Sequence, residues 1–121
     1  MVNIKSELDQ VFGALADGTR REMIQRLSRG PATIGELGEP FGITKGAVSK
    51  HIKVLERAGL LRRDVQGRVH RCEIDPVPLE VVQRWVHDVR AFWEARFDDL
   101  SEYLDELKKQ QGQDPEQEKK S

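Results

Sequence analysis

Thr44-Lys45-Gly46-Ala47-Val48-Ser49-Lys50-His51-Ile52-Lys53-Val54-Leu55-Glu56-Arg57-Ala58-Gly59 is the stretch on which the fold turns. Thr44 supplies a hydroxyl for an N-cap. Gly59 suits the left-handed position just past a helix end. At about 100° per residue, Val48, Ile52 and Leu55 fall together on one side. Gly46, Lys50, Lys53 and Arg57 take the opposite side, with Ser49 at its edge. This predicts an amphipathic helix that packs one face and shows a basic face built of small and long residues. Lysine brings charge and reach to phosphates, serine hydrogen-bonds base edges or phosphate, and glycine lets a backbone come close. Plain solvation also produces a basic face, so this helix alone leaves both readings open.

The flanking segments narrow the choice. Upstream, Thr33 and Glu36 have capping-box spacing and open a short helix through Leu37. Pro40-Phe41-Gly42-Ile43 separates it from the helix at Thr44. That is the spacing of a helix-turn-helix, whose second helix enters a major groove. Downstream, Leu60–Asp64 and Arg68–Ile74 flank Val65-Gln66-Gly67, a hairpin in the position of a wing. Arg62, Arg63 and Arg68 extend the basic surface onto it. Before the motif, Ile4, Leu8, Val11, Phe12 and Leu15 recur at helical steps over Ile4–Ala16. Thr19 and Glu22 read as the capping box of a second helix, with Met23, Ile24 and Leu27 apolar, ending at Gly30-Pro31. Thr19, Arg20 and Arg21 suit either a phosphate contact at the helix start or only capping it and pairing with neighbours. Asp75-Pro76 restarts a long helix from about Pro78 to Lys108. Val82, Trp85, Val86, Val89, Phe92, Trp93, Leu100, Tyr103, Leu104 and Leu107 fall on or near its heptad stripe. The expected architecture is mainly α with a β wing, a winged helix-turn-helix in the order α-α-α-α-β-β-α. Residues 1–108 form the domain. Residues 109–121, which lack any large apolar side chain, form a disordered polar tail.

The 121 residues are 34% charged and 37% hydrophobic, with a formal net charge of −1. The small net value conceals segregation. Residues 19–71 hold 12 Lys/Arg against 5 Asp/Glu, whereas residues 72–121 hold 7 against 13. A basic middle between acidic ends points to a polyanion partner for the middle. No run approaches a membrane span, and the first residues lack a signal core, so a cytoplasmic protein is expected. Cys72, the single cysteine, excludes an internal disulfide framework. On its strand it reads more naturally as a small buried hydrophobe than as a thiol sensor. His51 suits a phosphate contact or half-buried packing equally well. His87 without companions makes no metal site. No nucleophile–base set or phosphate loop is present, so no catalysis and no cofactor are expected.

Ala14-Leu15-Ala16-Asp17-Gly18-Thr19-Arg20-Arg21, Ile34-Gly35-Glu36-Leu37 and Ala47–Leu60 resemble the ArsR family of winged-helix repressors. Gly67-Arg68-Val69-His70 and Asp75-Pro76 resemble its wing and wing exit. Trp85 and Ala91-Phe92-Trp93-Glu94 resemble its non-metal branch, related to SdpR-type autorepressors. MarR-like regulators share a weaker form of the Val48–Leu55 run. The resemblance implies a homodimer through the first and last helices and a palindromic operator. The residues expected at DNA are Thr44, Lys45, Gly46, Ser49, Lys50, His51, Lys53, Arg57, Arg62, Arg63 and Arg68. Those expected at the dimer interface are Leu8, Val11, Phe12, Val82, Trp85, Val89, Phe92 and Trp93; the last helix's aromatics also suit an effector pocket. Metal-sensing members carry Cys-x-Cys in the third helix or a His/Asp/Glu set in the last. Here Thr33–Glu39 has no cysteine, and His87 and Asp88 are adjacent and face different ways, so no metal is expected. A winged-helix module that binds a protein or structured RNA is the alternative.

Overall fold

The computed structural model describes residues 4–112. The chain runs α1 (Ile4–Leu15), α2 (Gly18–Leu27), β1 (Ala32–Thr33), α3 (Ile34–Gly38), a 3-10 turn (Glu39–Phe41), α4 (Lys45–Arg57), β2 (Leu61–Gln66), β3 (Val69–Ile74) and α5 (Val77–Gly112). This is a winged helix-turn-helix, mainly helical with a small antiparallel sheet.

Side-chain caps set most of the helix starts. Thr33 and Glu36 form the expected capping box: the Glu36 N–H donates to Thr33 Oγ1 at 3.1 Å, and the Thr33 N–H donates to Glu36 Oε1 at 2.9 Å. Thr44 caps α4 by accepting the Ala47 N–H at 3.1 Å. The start of α2 differs from expectation. Asp17, not Thr19, is its N-cap, accepting the Arg20 N–H at 3.1 Å. A carboxylate there meets both the open N–H groups and the positive end of the helix dipole, which places Thr19 inside the first turn. Those N–H bonds hold the carboxyls of Asp17 and Glu36 below their ordinary range; the Arg20 N–H acts on the first and the Thr33 N–H on the second.

The wing pairs from Leu61↔Ile74 to Gln66↔Val69, leaving Gly67-Arg68 as a two-residue turn. Gly67 has φ +65°, as a hairpin turn opened by glycine requires. Val65 and Gln66, expected in the turn, therefore belong to β2, and Arg68 sits at the tip. A third strand, β1, pairs with Cys72 and Arg71 of β3, giving the order β1-β3-β2. Two residues are too few to show a strand period, so this one was not legible in the sequence.

The core lies in the first of two compact units, the part of the chain through Arg84. Val11, Met23, Leu27, Leu37, Ile52, Leu55, Leu60 and Cys72 are fully buried there. Val11 was expected at the dimer interface and is instead 0% exposed in the chain's own core. Together with Ala14 it forms the inward face of α1, whereas Phe12 turns outward at 37% exposure. Gly38 lets α3 and α4 approach closely: a Cβ on it would lie 2.5 Å from Val48 Cγ2.

From Trp85 onward the described chain is a helix with most of its large apolar side chains exposed. Phe92 and Trp93 meet edge to face at 5.7 Å, and the Arg96 guanidinium lies 4.8 Å over the Phe92 ring. Phe97, not placed on the stripe from sequence, is 61% exposed, and its ring centroid lies 6.3 Å from that of Trp93. α5 continues to Gly112, past the expected end at Lys108. The remainder of the expected tail, residues 113–121, lies outside the described residues.

Candidate nucleic-acid interface

α4 is held by Val48, Ile52 and Leu55 in the core, which fixes its outward face. Lys45, Gly46, Lys50, Lys53 and Arg57 are exposed on that helix. Ser49 is half-buried and lines two concavities. One lies between α3 and α4, bordered by Gly35, Gly42, Ile43 and Gly46. The other opens toward the wing, bordered by Thr33, Arg63, Arg68 and His70. Thr44 spends its hydroxyl on the helix cap. Lys45, Gly46 and Ser49 of the expected α4 residues thus border the first concavity, and Ser49 borders the second together with Arg68 of the wing tip.

The arginines of the wing are not equivalent. Arg68 is exposed in the turn. Arg62 is also exposed, and its 3.9 Å approach to Glu73 joins side chains that are 65% and 60% exposed, a weak pair in water. Arg63, expected as a phosphate contact, is turned inward and only 17% exposed. Its Nη2 donates to Glu56 Oε1 at 2.6 Å, and its Nη1 lies 3.2 Å from His70 Nδ1. This ties β2 and β3 to α4. The short, partly buried ion pair outweighs a solvated position for this side chain.

A second network was not visible in the sequence, because its partners lie 31 residues apart. Arg20 donates from Nε to the Ala14 carbonyl at 2.7 Å and from Nη2 to the Gly13 carbonyl at 3.0 Å. Its Nη1 lies 3.2 Å from His51 Nδ1 and 4.0 Å from Asp17 Oδ2. One guanidinium thereby satisfies carbonyls at the end of α1 and holds α4 beside the start of α2. Of the two roles open to Arg20 in the sequence, the structure gives it the pairing role.

Among the expected interface residues, Leu8, Val82 and Val89 are half-buried. Trp85 is 47% exposed, and Phe92 and Trp93 are each 53% exposed. Cys72 lies fully buried on β3, and desolvation pushes its thiol up from the ordinary range. No group of three or more His, Cys, Asp or Glu side chains is gathered as metal ligands among the described residues. No described helix is long and apolar enough to cross a membrane.

Comparison with known proteins agrees with this geometry. Residues 15–64 match a family described as a helix-turn-helix domain. The chain is 34% identical over 97 residues to an HTH-type transcriptional regulator of Mycobacterium tuberculosis, covering 80% of this chain and 88% of that one. It is 28% identical over 79 residues to the transcriptional repressor SdpR of Bacillus subtilis, covering 65% and 88%. A crystal structure of an ArsR family transcriptional regulator superposes with a TM-score of 0.73 at 42% identity, covering 78% of this chain and 97% of that one. The basic helix, the wing beside it and these relatives together place the chain in the ArsR family of winged helix-turn-helix, DNA-binding transcriptional regulators.

Proposed function

We propose that the protein represses transcription as a homodimer, setting one α4 from each copy into a major groove of a palindromic operator. Occupying a promoter in this way needs no catalysis and places the protein in the cytoplasm with the DNA. The observation that carries the reading is the exposed face of α4, with Lys45, Gly46 and Lys50 near its start and Arg62 and Arg68 on the adjoining wing. Base readout normally comes from the first turns of such a helix, and phosphate contacts come from its surroundings. The exposed row of large apolar side chains on α5 supports the dimer, because a monomer seldom leaves so long a stripe in water.

The test starts by selecting an operator from a random DNA pool. Ser49→Ala or Lys50→Ala should then cost ~1–3 kcal/mol per half-site on that operator and much less on unrelated DNA. Arg62→Ala or Arg68→Ala should weaken all sequences alike. Each lost phosphate contact should flatten the plot of log affinity against log salt by about one unit. Folded Ser49 and Lys50 variants that bind as tightly as the parent would remove α4 from the reading role. A folded parent that shifts no duplex at low salt would favour a protein or RNA partner.

A further inference from the structure

Two histidines beside the α4 face share one arrangement. His51 on α4 faces Arg20 Nη1 through Nδ1 at 3.2 Å, and His70 on β3 faces Arg63 Nη1 through Nδ1 at 3.2 Å. A guanidinium has only donors and stays protonated. The ring nitrogen it meets must therefore offer a lone pair. An imidazole that offers one there is neutral and carries its single proton on Nε2. Both arginines are themselves pinned. Arg20 is bonded to the Gly13 and Ala14 carbonyls, and Arg63 to Glu56. Neither ring can flip without abandoning a donor that is held in place elsewhere. Both rings are half-buried. His51 follows Lys50 on α4, and His70 shares its concavity with Ser49 and Arg68.

We propose that Arg20 and Arg63 are positioning residues that set His51 and His70 as fixed, neutral Nε2–H donors to phosphodiester oxygens of DNA. One donor comes from the recognition helix and the other from the wing. The inference rests on the DNA-binding reading above. A phosphodiester oxygen suits these donors because it is anionic, and hydrogen bonds to a charged acceptor are the stronger kind. Lys50 and Arg68 beside the two rings draw the same backbone. A neutral donor differs from a lysine in one measurable way: it displaces no counterion, so its loss lowers affinity without changing the salt slope.

Nitrogen-15 NMR of the histidine rings in the full chain, free and bound to the selected operator, tests the tautomer directly. Both rings should be neutral with the proton on Nε2 at pH 7.5, and both Nε2–H groups should become protected on DNA. Arg20→Gln and Arg63→Gln should release His51 and His70, respectively, into mixed tautomers. His51→Ala and His70→Ala should each weaken binding about tenfold on operator and unrelated DNA alike, with the salt slope unchanged. Glutamine at either position keeps an N–H near the place of Nε2 and should recover part of the loss. A proton on Nδ1, a charged ring, a salt slope lowered by one unit, or alanine variants that bind like the parent would each overturn the inference. Should an alanine variant fail to fold, the ring spectra of the parent decide. Alanine variants matching a parent that binds DNA would remove this inference alone. A parent that binds no duplex would remove the underlying reading with it.

Discussion

The chain through Arg84 and the helix beyond Trp85 draw on similar apolar residues and use them oppositely. In the first part, Val11, Met23, Leu27, Leu37, Ile52, Leu55 and Leu60 are buried against one another. In the second, Phe92, Trp93, Phe97, Leu100, Tyr103 and Leu104 stand exposed at helical spacing. A heptad-like stripe specifies that something is to be covered, but not by what. A short helix flanked by turns finds its cover within the chain. A 36-residue helix extends past what a core of this size can enclose. The first region therefore stands on its own hydrophobic burial, while the second would gain its stabilisation from the proposed association of two copies.

Substitutions on the two regions should separate these two kinds of stabilisation. The largest effect is expected from Phe92→Asp combined with Trp93→Asp. Aromatic anchors at an interface centre are worth 2 kcal/mol or more each. The pair should raise the dimer dissociation constant by about a thousandfold or more, read by sedimentation equilibrium. A variant that stays dimeric at micromolar concentration would place the interface elsewhere. Leu55→Ala comes next, because it empties a fully buried site. It should lower unfolding free energy by ~2–5 kcal/mol at any protein concentration. Leu104→Ala should instead produce a loss that depends on protein concentration. If the two behave alike, the distinction between the regions fails.

Gly38→Ala is a smaller perturbation within the first region. The added methyl meets Val48 at the α3–α4 crossing, and overpacking of this kind costs ~1–3 kcal/mol. Denaturant midpoints would show it. Operator affinity should fall with it, since Val48 lies on α4 just before Ser49. An unchanged midpoint would mean that α3 and α4 shift apart freely. The least effect is expected from ending the chain after Gly112. The sequence beyond holds no large apolar side chain, so melting temperature and operator affinity should stay within about 0.5 kcal/mol of the parent. A marked loss of affinity would assign that segment a function.

Local chemistry made much of this molecule readable. The Thr33–Glu36 box, the Thr44 cap and the inward trio Val48, Ile52 and Leu55 follow from hydrogen-bonding groups and a 3.6-residue period, and all are found in the structure. The cap of α2 shows where such reading stops. Asp17 and Thr19 both offer a capping oxygen, and the choice between them depends on the angle at which α1 hands the chain to α2. Val11 and Phe12 are neighbours of similar hydrophobicity, and only packing decided that the first is core and the second is surface.

The sequence by itself determined which segments are helices, that a hairpin follows α4 and which face of α4 is basic, because these depend on residues a few positions apart. The tertiary structure alone decided what the charged side chains do. Arg63 reads from sequence as another basic residue of the wing. It becomes an internal tie only because β2 carries it to Glu56 and β3 brings His70 to its other side. Arg20 likewise meets His51 across 31 residues of chain. A long cation makes its bond wherever folding delivers an acceptor, and no local periodicity records that place. The same separation explains β1: two residues become a strand because Cys72 and Arg71 arrive beside them.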